Sequence, residues 1–184
     1  MTEVSPAMRV SILFITALLF YAIAASSGAN TKPNDVYGWE NLKWGMPASE
    51  VESVLGKGVE KRQAKHDRTD GVYTDLEMLD INIGGSKFRA SIWMDADTKE
   101  LSKIVFVPQT KTEGYNLAET FIKLEEGLAD KYGDPDVEKT SNDPGTSAER
   151  VWNFPSTEIE LSYLKIEDSE LLLLIFSERE KGSK

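Results

Sequence analysis

One pattern occurs twice in this chain: a capped helix followed by several strands with tight turns between them. The first copy opens at Trp44-Gly45-Met46-Pro47 and ends its helix at Gly56. Pro47 suits the first helical position, where a missing N–H goes unbonded anyway, and Gly56 suits the left-handed residue past the last turn. Val51, Val54 and Leu55 share one face, and Glu50 and Glu52 complement the positive end of the helix dipole. Two to three turns do not hold in water alone, so this helix must lean on a sheet.

The second helix is longer. Asn116 caps it with Glu119 three residues on; Leu117, Phe121, Leu124 and Leu128 recur every three or four residues; and Gly133 with Pro135 stops it. Lys123, Glu125, Glu126, Asp130 and Lys131 mark its wet face.

Strand signals follow each helix. After the first come residues 72–83, a Gly84-Gly85 turn suited to a tight hairpin, 87–94 with Phe88, Ala90, Ile92 and Met94 on one face, and 101–107. Residues 104–107 are apolar at every position, which predicts a strand covered on both faces. After the second helix, residues 140–149 carry Asn142-Asp143-Pro144-Gly145 and read as turn or loop. Strands then open at Val151, alternate through Thr157, Ile159, Leu161 and Tyr163, and end in the apolar run 171–176. The expected fold is α+β: duplicated helix-strand-strand-strand units forming an antiparallel sheet of about six strands, with two helices packed on one face. A period near 70 residues means duplication of a domain half and is too long for a solenoid.

The 184 residues, 40% of them hydrophobic, suffice for one domain of ordinary size. A net charge of −10 argues against nucleic-acid phosphates or an anionic lipid surface as the partner and suits a basic protein surface better. The absence of cysteine excludes disulfides, thiolate catalysis, cysteine-ligated zinc and acylation of a mature N-terminal Cys. Near the N-terminus, Arg9 precedes an apolar run of about 16 residues followed by small residues at 22–24 and 27–29, the pattern of a signal peptide or an uncleaved N-terminal anchor. The segments are therefore 1–29, signal peptide or anchor; 30–43, a leader whose residues 30–35 look flexible; 44–110 and 111–178, the two units; and 179–184, a charged tail.

Candidate sites divide by chemistry. Trp39, Trp44, Trp93 and Trp152 are candidate walls for a ligand, and Trp93, opposite Ile92 and Met94 in alternation, is a candidate contact anchor on an open sheet face. Residues 57–70 lose the apolar rhythm and form a basic loop in which Lys61, Arg62, Lys65 and Arg68 are candidate anion-binding groups. A solvated connector and a helix start packed by its aromatics are the plainer readings of the same residues. The single histidine, His66, lies in that loop without companions for a triad or metal site. Asp95, Asp97 and Glu100 lack the glycine and further ligands of a calcium loop and read as turn residues. Glu158 and Glu160, two apart on a strand, are the nearest approach to a hydrolase carboxylate pair and read first as its solvent side. No catalytic set, metal site or cofactor is implied.

The stretch Trp44-Gly45-Met46-Pro47-Ala48-Ser49-Glu50-Val51, with Val54-Leu55-Gly56 after it, resembles the opening of small bacterial envelope modules of the SmpA/OmlA (BamE) type. The doubled arrangement resembles the tandem modules of beta-lactamase inhibitory proteins. These resemblances imply a periplasmic or secreted protein that is not an enzyme and works by binding another protein of the envelope or the exterior. A small-ligand or sugar-binding protein is the alternative, ahead of a carboxylate hydrolase.

Overall fold

A computed structural model describes residues 32–67, 71–109, 116–143 and 145–179. The elements run α1 (Ala48–Leu55), β1 (Val59–Asp67), β2 (Val72–Ile83), β3 (Ser86–Asp95), β4 (Leu101–Pro108), α2 (Leu117–Tyr132), β5 (Val137–Ser141), β6 (Thr146–Asn153), β7 (Thr157–Ile166) and β8 (Ser169–Glu178). All eight strands make one sheet in the order β1-β2-β3-β4-β8-β7-β6-β5, antiparallel at every step.

The protein is thus mostly β, and the expected six-strand sheet with two helices packed on it is wrong. Each half is a helix followed by four strands. The two missed strands are the outermost ones. The segment expected as a basic loop at 57–70 is largely β1, and the loop expected at 140–149 holds the end of β5, a turn and the start of β6.

Within the sheet the halves join at β4 and β8, where Ile104 faces Phe176 and Phe106 faces Leu174. An offset of about 70 residues carries Ile104 onto Leu174 and Phe106 onto Phe176, so the seam is where the repeat meets itself.

Alternation along each strand sorts the sheet into two faces. Across one run Met78, Ala90, Phe106, Leu174, Leu161 and Arg150, register partners from β2 to β6. The first five are buried, and burial of each large apolar side chain contributes about 1.5–3 kcal/mol. The other face carries Ser91, Val105, Ile175, Glu160, Val151 and Val137, all half-buried.

Helix α2 lies on the buried face, against β7 and β8. Its expected stripe is buried, with Thr120 and Tyr132 added, and the Asn116 side chain accepts from the Glu119 amide at 3.1 Å. Helix α1 is different. Only Val51 is buried and Val54 is exposed, because α1 sits at the strand ends, where Pro47 bridges Glu100 and Glu52 reaches Lys61 at 3.0 Å. One turn of it reaches the core.

Residues 32–43, the described part of the expected leader 30–43, are tied together with Trp44 to the second half. Buried Thr157 on β7 accepts from the Trp44 indole at 2.7 Å and donates to the Val36 carbonyl, while Asp35 accepts from the Ser156 amide and hydroxyl. Gly38 makes this passage possible. At φ +100°, a Cβ there would stand 1.9 Å from the Leu42 carbonyl oxygen.

Candidate functional site

The central runs 104–107 of β4 and 171–176 of β8 are apolar at every position, yet the described residues cover only one of their faces. Val105 and Val107 on β4 and Leu173 and Ile175 on β8 stay half-buried. The expectation that 104–107 is covered on both faces therefore fails among the described residues. A strand that alternates inside and outside needs apolar residues at every second position only. The extra ones place a strip of hydrocarbon along the centre of the open face.

The strip widens toward the β7–β8 hairpin. Leu164 and Leu171 are register partners with 39% and 45% exposure, and Ile166, two residues beyond Leu164 on the same face, is 47% exposed. Clustered in this way, exposed aliphatic groups mark interaction surfaces, whereas scattered ones carry no message.

Polar groups border the strip. Glu160 stands opposite Ile175 and Glu158 opposite Ser177, which in turn faces Lys103. The Glu160 carboxylate accepts from Ser162, two residues along. On the β3 side, Arg89 pairs with Glu77 at 3.0 Å. The open face has an apolar middle, acidic groups on β7 and mixed charge across β2 and β3, the layout of a protein-binding patch with a polar rim.

The four tryptophans do not converge. Trp152 is fully buried and donates to the Gly133 carbonyl at 2.7 Å, fastening the end of α2 to β6, and Trp44 is buried with its indole on Thr157. Both fill the core. Trp93 pairs in register with Lys103 and so belongs to the open face, but it is only 9% exposed and presents little surface for an anchor. Trp39 alone borders open space, half-buried with its ring 5.0 Å from Phe106, on one wall of a cleft beside α2.

Of the expected basic group, Lys61 alone has a described side chain. Lys61 lies on the helix-bearing side, paired with Glu52, and is well exposed. Arg62 and Lys65 belong to the β1 backbone, and their side chains lie outside the described residues, as does Arg68 altogether and the side chain of His66. Asp95 is occupied by its own turn, accepting from the amides of Asp97 at 2.9 Å and Thr98 at 2.7 Å. These bonds, that of Thr98 foremost, outweigh desolvation and hold its carboxyl below 3.8. The apolar run at 1–29 lies outside the described residues.

Sequence reasoning missed Val105, Ile175, Leu164, Ile166 and Leu171 as surface. For Val105, Leu171 and Ile175 the signal was present in the runs 104–107 and 171–176, which carry more apolar positions than one buried face requires. No family model, no curated protein and no solved structure matches the chain.

Proposed function

We propose that this chain is an exported, non-catalytic protein of the cell envelope that holds another protein against the open face of its sheet. The observation that carries the reading is the surplus of hydrocarbon there: Val105 and Ile175 at the centre, Leu164, Ile166 and Leu171 toward one end. The partner surface is apolar at its middle and presents Lys or Arg to Glu158 and Glu160, in keeping with the net charge of −10. The resemblance of residues 44–56 to envelope modules and the N-terminal apolar run support the same location. Glu158 and Glu160 stand on an open sheet surface, which suits contact better than general acid and base work in a water-excluded site.

A photo-crosslinking residue placed at position 175 in cells, with a second protein carrying it at the exposed position 122 on α2, tests the reading. A discrete protein adduct from 175, absent from 122 and abolished by Val105→Glu, is the expected result. The same background at both positions, or an adduct indifferent to Val105→Glu, overturns it.

A further inference from the structure

A cleft of about 280 Å³ opens between α2, the Trp39–Glu40 turn and the β2–β3 hairpin, on the helix-bearing side of the sheet and away from the open face. Its size is near the lower end of the range for small-molecule sites, about 300–1,000 Å³, and admits one ring with a short chain. We propose that this cleft binds a small aromatic carboxylate, with its ring between Trp39 and Tyr132 and its carboxylate at Lys123 or Lys131.

Gly127 makes the notch. Lys123, Gly127 and Lys131 are spaced by four and form one stripe on α2, all three bordering the cleft. Glycine inside a helix is less favourable than alanine. Nothing in the packing demands it here: a Cβ on Gly127 would meet no atom within 4 Å, and its backbone is helical. The missing side chain leaves room and nothing else.

The charge favours an anion. Two ammonium groups flank the notch, and a carboxylate entering it would share them with Glu119 and Glu40 at their exposed ends. Lys123 is held at 2.9 Å by Glu119, one turn back, and Lys131 lies a loose 3.7 Å from Glu40. Glu40 has φ 52°, in the left-handed region that is unfavourable for a non-glycine residue. That strained turn carries the cleft wall and places Glu40 beside Lys131.

The walls favour a ring over an acyl chain. Trp39 packs on Phe106 with ring planes 56° apart, and Tyr132 packs edge-on to Phe176 with centroids 6.4 Å apart. An incoming ring extends this aromatic cluster at offset or edge geometry, which is favourable beyond the area it buries.

The test is titration of the full-length, ¹⁵N-labelled chain with 4-phenylbutyrate, followed by amide shifts, with 4-phenyl-1-butanol and octanoate as comparison probes. Expected are saturable shifts centred on Trp39, Gly84 and Gly127, affinity roughly tenfold weaker for the alcohol and for octanoate, and loss of saturation in Gly127→Leu. Gly127→Leu enters open space with a better helix former, so its urea midpoint stays or rises and a binding loss is not a folding loss. Lys123→Gln with Lys131→Gln is expected to reduce the preference for the acid over the alcohol. Absence of saturable shifts at millimolar 4-phenylbutyrate, binding unchanged by Gly127→Leu, equal affinity for the alcohol, equal affinity for octanoate, or an acid preference untouched by the lysine changes each overturns the proposal. None of these outcomes bears on the open face.

Discussion

Val105 and Ile175 face each other across the seam between β4 and β8, on the side of the sheet away from α2. Their neighbours along the strands, Phe106 and Leu174, make the equivalent pair on the buried side. Adjacent positions of similar composition thus meet opposite environments, and substitution distinguishes them. Phe106→Ala is expected to destabilise the fold by about 3–5 kcal/mol, since it empties a fully buried site between Trp39 and Phe176. Ile175→Thr keeps a β-branched residue on a half-open face and is expected to cost about 1 kcal/mol or less. Urea denaturation of both proteins measures this; equal losses would show the open face to be core.

Thr157 is the polar point that ties the N-terminal segment to β7. Its hydroxyl accepts from the Trp44 indole and donates to the Val36 carbonyl inside a site with no exposure. Thr157→Val keeps the shape and strands both partners, an expected loss of about 1–3 kcal/mol. Hydrogen exchange should show residues 36–44 opening ahead of the sheet. Uniform loosening of the whole molecule would instead place this segment within the cooperative core.

The sequence was legible where packing writes a period and illegible where it does not. α2 shows its stripe, its Asn116 cap and its Gly133 stop, and the β2–β3 hairpin shows its glycines, whose φ values of 58° and 81° are those the turn requires. The outer strands β1 and β5 show neither. Val59-Glu60-Lys61 and Val137-Glu138-Lys139-Thr140-Ser141 are rich in charge because edge strands are kept from pairing with other chains by such residues, so 59–61 read as part of a basic loop and 137–141 carry no strand signal. The open face was misread for the opposite reason. Apolar residues at consecutive positions announce burial on both sides and do not say whether the second cover comes from the same chain. For α1, the stripe Val51-Val54-Leu55 was visible, but its place at the strand ends, which leaves Val54 outside, depends on tertiary contacts.

Arg150 shows how the β5 edge is held. Its side chain is only 12% exposed; it pairs with Glu125 of α2, donates to the Lys139 carbonyl at 3.1 Å and lies over the Phe121 ring. The planar guanidinium makes these contacts at once, and a lysine ammonium reaches only part of them. Arg150→Lys is expected to cost about 1–2 kcal/mol, and Arg150→Ala more, since Glu125 then loses its partner. Exchange rates of the β5 amides decide whether the loss is local. If β5 stays protected in Arg150→Ala, its β6 ladder alone holds it.

Asp136 and Asp35 make the same junction sensitive to acid. Partial burial works to raise the Asp136 carboxyl, but hydrogen bonds from Lys32 and the Asn153 amide, with the charges of Lys32 and Arg179, hold it below 3.8. Burial likewise opposes ionisation of Asp35, and the bonds from Ser156 and the Val36 amide outweigh it. A carboxyl whose folded pKa lies below its unfolded value takes up its proton more readily unfolded. Its contribution is complete above the ordinary carboxylate range and is lost as pH falls through the depressed value. The urea midpoint is therefore expected to be level above about pH 5 and to fall below about pH 4, with the indole N–H signal of Trp44 changing at the onset. Asp136→Asn is expected to lower the plateau and flatten part of the fall, leaving Asp35 and Asp95 to supply the rest. An Asp136→Asn protein with an undiminished acid slope would mean that the Lys32 contact contributes nothing to stability, as exposed ion pairs often do.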